Sequence, residues 1–438
     1  MINLLEKFLE KNLRKKSSLL LAFSGGGDST ALLHLLLELK KSYSFTFDVA
    51  HVDHGWREDS QNEQVTLENK VKNLGLTFHK TRIEEKVTNN LEDHGRKCRL
   101  KFFEDLNKTH GYQAILFAHH KDDLVETVLK RVLEGANLFN LYGMKPISKQ
   151  GRLTIWRPLL QVTKNELEDY LHENKIEYIH DPTNLDTRFL RGRMRKTILP
   201  FLNENFGKEF SNNLALLASR SYDLKESLEV RTSELLNKLV KGPLGSYFDL
   251  NLLDLLTINE QKFFFYSLFK QENISISRIN LQEIFTWSLN KDSYKQIQFK
   301  DVTVIIDRQK IFFLKQSPLS LPTSMPLSMG VLTKGNWKIT LEKCDDSSKW
   351  KESSWQDLWH GNMDICIPKG TKLLNPSQLK ELKSLTKWQS SKKVPVFLRK
   401  LVPVIAKGDE VVADLLSGFK SIKDLKTENS LKMKIEIK

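Results

Sequence analysis

The first 205 residues predict a doubly wound parallel α/β sheet, followed by a mostly helical segment and a small α+β C-terminal domain. Three observations lead there. Short apolar runs alternate with helix-period segments through the first 150 residues, the pattern of strands joined by crossover helices. The first of these runs stops at three consecutive glycines, as a buried parallel strand would. Beyond about Pro200 the spacing becomes that of long helices, and short alternating runs return only in the last hundred residues.

Taken in order, MINLLEKFLEKNLRKK sets glutamates among leucines and reads as an amphipathic helix, without the apolar core of a secretory signal. Ser18 to Phe23 is the first strand. Ser29 to Lys40 is a helix whose Leu32, Leu33, Leu35, Leu36 and Leu39 make a face broad enough to pack on a sheet. Phe45 to Val52 is the second strand. Ser60 to Leu74 is a helix, with Ser60 as N-cap and Glu63 completing a capping box. Ala114 to Ala118 is a third apolar segment. It precedes a helix from near Asp122, where Val125, Val128, Leu129, Val132 and Leu133 recur at helical spacing and Glu126 stands four before Lys130. Leu214, Leu217, Leu224, Leu228, Leu235 and Leu239 predict a long helix, and Phe263 to Phe269 continues the α-rich stretch. Gln296 to Leu314 reads as a hairpin turning at Asp307-Arg308. Pro318, Pro322 and Pro326 mark a linker. The expected domains are therefore 1–205, 206–315 and 329–438, with 316–328 as the linker.

Composition narrows the class. Of the 438 residues, 28% are charged and 40% hydrophobic, the balance of an ordinary soluble protein. No apolar run approaches the ~20 residues of a membrane span, so no membrane partner is expected. The three cysteines are widely spaced and form no CxxC pair. That argues against a disulfide framework, a structural zinc or an iron–sulfur cluster, and for a reducing cytosol. A formal charge of +14 favours a polyanionic partner, nucleic acid above all.

Ser24-Gly25-Gly26-Gly27-Asp28-Ser29 joins the first strand to the first sheet-packing helix. Glycines there allow a tight turn and close approach to an anion, and the helix N-terminus offers free N–H groups and partial positive charge. Ser24 and Ser29 add hydroxyls, while Asp28 suits magnesium or the helix cap. The order fits neither a Walker loop, which needs a lysine, nor G-x-G-x-x-G. SGGGDS after a buried strand instead resembles the pyrophosphate-binding loop of the ATP pyrophosphatase (PP-loop) superfamily, which cleaves ATP to AMP and pyrophosphate.

Further polar groups gather at strand ends. Asp53, between His51 and His54, leaves the second strand and suits magnesium or the nucleotide. Ala118-His119-His120-Lys121-Asp122-Asp123 crowds the next strand-to-helix junction; Asp122 or Asp123 caps the helix, and His119 or Asp123 is the candidate proton acceptor. Arg96 and Arg99 share a helix face at i and i+3, suited to a phosphate or carboxylate. Arg188, Arg191, Arg193, Arg195 and Lys196 form a basic cluster, either gripping RNA phosphates or lying on a solvated helix face.

These segments together resemble the tRNA(Ile)-lysidine synthetase family. Lys130 to Ala136, Leu141 to Met144, Arg157 to Leu160, Asp181 to Asp186, Arg191 to Pro200, and Lys393 to Arg399 with Pro403 to Ile405 are similar to further family motifs. Departures include Gly192 for a usual Asn, Thr183 for Ser, Glu134 for Arg and Leu124 for Gln. The resemblance implies ATP and Mg2+ as cofactors, and the isoleucine tRNA with a CAU anticodon and free L-lysine as substrates. It further implies cytoplasmic location and a possible homodimer. The wobble cytosine would be adenylated on its carbonyl oxygen, then attacked by the lysine ε-amine. It places nucleotide binding at residues 24–29 and catalysis at Asp53, His119 and Asp123. Substrate or phosphate contacts would fall to Arg96, Arg99, His120, Glu126 and Arg131, magnesium to Asp28 and Asp53, and tRNA to the Arg188–Lys196 cluster and the two later domains. Three rivals remain: tRNA thiolation, which usually uses paired cysteines; amide-forming synthetases, most with a glutamine-hydrolysing domain; and a non-catalytic RNA binder.

Overall fold

Leu19, Leu20 and Leu21 are all fully buried because they stand in a central strand covered on both faces. Leu19 and Leu21 enter one core with the leucines of the following helix. Leu20 faces the other way, onto Phe103, Ile115 and Phe117. A computed structural model describes residues 1–53, 55, 60–83, 91–179, 190–206, 209–315, 324–334, 337–344, 354–376, 383–408, 410–419 and 430–437. It divides into two units, Met1–Glu226 and Ser227–Lys438.

In the first unit the order is α1 (Ile2–Asn12), β1 (Ser17–Ala22), α2 (Gly27–Leu39), β2 (Phe45–Asp53), α3 (Ser60–Asn73), β3 (Phe78–Arg82), α4 (Leu91–His110) and β4 (Ala114–Leu116). Then follow α5 (Lys121–Leu133), β5 (Ile147–Gln150), β6 (Leu153–Trp156), α6 (Lys164–Glu173), α7 (Leu190–Arg193), α8 (Leu199–Phe206) and α9 (Phe210–Leu236). The amphipathic α1 buries Leu5 and Leu9, as its pattern requires. The sheet order is β3-β2-β1-β4-β6-β5, parallel except for the edge strand β5. The chain winds outward from β1 to β3, then crosses through α4 to β4 on the other side of β1. That reversal opens a crevice at the carboxyl ends of β1 and β4, where such sheets bind ligands. Between α7 and α8, Met194–Ile198 makes a turn of π-helix, a distortion often found at functional sites. Met194 and Leu199 pack there against Val125 and Leu129 of α5.

The second unit holds antiparallel sheets beside the helices expected there. Beside α10 (Ile258–Gln271) and α11 (Arg278–Leu289) stands a five-stranded antiparallel sheet. Its strands are β7 (Val240–Gly242), β8 (Gly245–Asp249), β9 (Lys295–Gln298), β10 (Val302–Asp307) and β11 (Lys310–Lys315). The predicted hairpin is β10–β11, closed by Arg308 and Gln309, both at positive φ, as a tight two-residue turn requires. Strand alternation explains why no boundary follows it. Val304, Ile306, Ile311 and Phe313 face α10 and α11, whereas Ile305, Phe312 and Tyr247 share a core with Trp355, Trp359 and Phe397. Both faces of the sheet are buried, so 240–315 and the C-terminal segment pack as one body. The expected linker also ends in structure: Ser324–Pro326 is strand β12, paired with β16 (Lys372–Leu374), while residues 316–323 lie outside the described residues. A second antiparallel sheet joins β13 (Gly330–Lys334), β14 (Trp337–Lys343), β19 (Ser430–Ile437) and β15 (Asn362–Pro368) in that order. Among the described residues no helix is long and apolar enough to cross a membrane.

Candidate active site at the switch point of the sheet

The SGGGDS loop turns from β1 into α2 through Gly25, at φ +84°. A Cβ on Gly25 would fall 2.8 Å from the Leu67 methyls, so backbone freedom and space both demand glycine. The loop is braced from within. Ser24 and Ser29 hydroxyls lie 3.1 Å apart, Ser29 Oγ donates to the Gly26 carbonyl at 3.0 Å, and Ile179 N–H donates to the Gly25 carbonyl at 2.9 Å. Gly26, the N-cap of α2, brings no side chain to the first-turn N–H groups. They are left to face an anion.

Across the crevice, the β4–α5 junction carries His119 and His120. The His120 ring is buried among three carboxylates: 3.6 Å from Asp28, 3.4 Å from Asp122 and 3.5 Å from Asp123. Burial opposes its charge, but the Asp122, Asp28 and Asp123 carboxylates outweigh that and push its pKa up to about 10. His120 is therefore an imidazolium at neutral pH. It ties the phosphate loop to α5, and its proximity holds Asp28 ionised despite partial burial.

His119 is the opposite case. Burial pushes its pKa down to about 4; Asp123 works against this, and Arg157, Arg99 and Arg191 work with it. Its ring stacks on Phe117 at 5.4 Å, and its Nδ1 is buried without a hydrogen-bond partner. Around it gather arginines. Burial and the charges of Arg96 and Arg191 lower the pKa of Arg99, and burial with Arg96 lowers that of Arg157 to about 10. Arg99 lies over the Phe117 ring at 5.6 Å, and the Nε atoms of Arg99 and Arg157 are both buried and unpartnered. Two buried guanidiniums with donors left open can seat an anion.

Several predicted residues have partners within the protein. Asp53, 4% exposed, accepts from Gly55 N–H at 2.8 Å and Ser60 Oγ at 3.1 Å and sits 3.6 Å from Arg82. Its lone pairs brace the end of β2. Ser60, expected as an N-cap, gives its hydroxyl to that carboxylate. Arg195, expected among RNA-gripping cations, instead pairs with Asp123 at 2.8 Å and with buried Glu126. Glu126, expected as a substrate contact, is thereby a partner of the π-turn; burial raises its pKa. Arg131 reaches the Asn140 carbonyl and lies 5.3 Å from the Tyr142 ring, holding the loop after α5. Arg193 and Lys196 are exposed, and Arg188 lies outside the described residues.

The comparisons decide the family. The PP-loop domain model matches residues 2–202. The tRNA(Ile)-lysidine synthase of Protochlamydia amoebophila is 34% identical over 425 residues, covering 95% of this chain and 93% of that protein. This chain belongs to the tRNA(Ile)-lysidine synthase family. The Chlamydia muridarum tRNA(Ile)-lysidine synthase is also 34% identical, over 67% of this chain and 91% of that protein. Among solved structures, the U34-tRNA thiolase NcsA from Methanococcus maripaludis overlaps 51% of this chain and 77% of its own, with a TM-score of 0.44 and 17% identity.

Within this candidate site, Arg157 is a residue whose sequence motif carried no assigned role. Its signal was positional: it directly follows buried Trp156 at the carboxyl end of β6, the edge that also carries residues 24–29 and 119–123.

Proposed function

We propose that in the cytoplasm this chain ligates lysine to the wobble cytidine of the isoleucine tRNA with a CAU anticodon, activating the cytosine carbonyl with ATP. A carbonyl oxygen is a poor leaving group and AMP a good one, so adenylation must come first. The convergence of the phosphate loop and the His119–Asp123 junction on one crevice carries this reading. Gly26 and the open turn of α2 would receive the pyrophosphate end of ATP. The arginine seat of Arg96, Arg99, Arg157 and Arg191 would receive a second phosphate, of the adenylate or the RNA backbone. A nucleobase to be modified must be unstacked, as it is in a splayed anticodon loop.

Magnesium fits beside Asp28, a 42% exposed carboxylate at the mouth of the loop; Asp53 fits poorly, its oxygens being already engaged. Magnesium is commonly bound by one carboxylate together with substrate phosphates. Bound there, it would screen the charge of the departing pyrophosphate.

Of the two candidate proton acceptors, the geometry supports His119. Asp123 is occupied by Arg195 and by the His120 N–H at 3.1 Å, whereas His119 Nδ1 is neutral and open. An anion in the arginine seat would cancel part of the charge that keeps His119 neutral, making it more basic once substrate is bound. Labelled lysine incorporated into a wobble-cytidine isoleucine tRNA transcript, with ATP, tests the reading. No incorporation by folded protein that binds both ATP and tRNA would overturn it.

A further inference from the structure

Two cysteines that sequence spacing leaves unrelated meet in the second unit: Cys344 and Cys366 stand with their sulfurs 2.9 Å apart. That is closer than the ~3.5–4.0 Å of optimal non-bonded carbon contact, and about 0.9 Å longer than the ~2.0 Å of a disulfide. Cys344 leaves the end of β14, where its N–H reaches the Ser430 carbonyl at 3.4 Å. Cys366 lies in β15, opposite Lys432 of β19. Strand alternation fixes the face of Cys366. Ile365 and Ile367 of β15 point into the core, so Cys366 points the other way, and Cys344, just past the end of β14, meets it there. The thiols thus flank β19 on the outer side of the sheet, each partly exposed. Cys98 belongs to the first unit and lies beside His94 at 3.4 Å.

We propose that Cys344 and Cys366 form a modification site, a dithiol that closes reversibly into an intrachain disulfide by exchange with a small disulfide such as oxidised glutathione. One cysteine thiolate attacks a glutathione sulfur, the oxidant's S–S bond breaks, and one reduced glutathione leaves. The second cysteine gives up its proton and attacks the protein-side sulfur of the mixed disulfide, releasing the second reduced glutathione. The protein loses two electrons and two protons, and the oxidant gains both. The bridge closes the chain across 22 residues and fastens the exit of β14 to β15 over β19.

The test uses the full chain equilibrated in glutathione buffers from fully reduced to fully oxidised, then trapped with N-ethylmaleimide and mapped without reduction. The expected product carries one alkylated cysteine, Cys98, and a linked peptide pair containing Cys344 and Cys366; reduction restores all three thiols. Cys98→Ser keeps the link, and Cys344→Ser or Cys366→Ser abolishes it. Thermal unfolding of the oxidised chain shifts upward by several degrees relative to the reduced chain. The proposal fails if all three cysteines stay alkylatable in oxidised buffer. It also fails if the products are only glutathione adducts or intermolecular dimers, or if the link forms as readily in urea-unfolded protein.

Discussion

Replacing Arg195 by alanine removes a cation shared by the Asp123 and Glu126 carboxylates. Its guanidinium lies 2.8 Å from Asp123 and against Glu126, whose side chain is 4% exposed while Arg195 itself is 26% exposed. Deleting one partner of a buried ion pair costs roughly 3–5 kcal/mol, because the other charge is left desolvated. The partial exposure of Arg195 puts this case at the low end, about 3 kcal/mol. The loss should depend on pH. Burial already raises the Glu126 pKa, so the folded chain holds that proton more tightly than the unfolded chain. Such a carboxyl costs no stability below its unfolded value near ~4.3 and an increasing amount as pH climbs toward the folded value. Without Arg195 the folded value rises further, so the penalty is full near neutrality and shrinks on acidification. Urea unfolding of the full chain, followed by far-UV circular dichroism near neutral and mildly acidic pH, reads this directly. Arg195→Ala with Glu126→Gln should recover part of the loss. A neutral-pH change under about 0.5 kcal/mol, or an equal loss at both pH values, would refute the reasoning, since exposed pairs behave that way.

Gly25→Ala, forced into positive φ against Leu67, should strain the loop by about 1–3 kcal/mol and raise the KM for ATP at least tenfold, measured by pyrophosphate release. His119→Ala should lower the rate of lysine transfer about 10²–10⁴-fold while tRNA binding, followed by filter retention, holds. Because the pKa of His119 lies near 4, the free enzyme loses this acceptor only below that pH. The kcat/KM profile should therefore lack an acid limb at the ordinary histidine value; a limb near ~6.5 would contradict the assignment. Arg157→Lys should weaken substrate binding without rescue, since one ammonium cannot replace the guanidinium that holds the Lys145 carbonyl and Ser148 hydroxyl and keeps Nε open. Its KM for ATP and for tRNA would show which phosphate sits there.

Legibility in the sequence followed locality. β1, α2, β2 and α5 were readable because three adjacent leucines, a triple glycine and helix-spaced valines each encode their element within a few residues. The phosphate loop was readable for the same reason. Sheet order was not, since only the crossover through α4 brings residues 24–29 beside residues 119–123. The duties of Arg195, Arg131 and Asp53 were equally hidden. A cation in an arginine-rich run looks the same whether it faces RNA or a buried Glu126 some 69 residues away. The sheets of the second unit were hidden for another reason. Phe312 reads as one residue of a hairpin, yet its opposite-face packing on Trp359 at 5.4 Å joins what the prolines seemed to separate. The Cys344–Cys366 approach lay beyond any local pattern.

The central claim is that the cytosine carbonyl oxygen is carried away on AMP. An isoleucine tRNA bearing heavy oxygen at the wobble cytosine carbonyl, incubated with ATP, lysine and the full chain, tests it in one mass spectrum. Isotopically heavy AMP formed in step with lysidine is the expected result. Light AMP alongside modified tRNA would contradict the account.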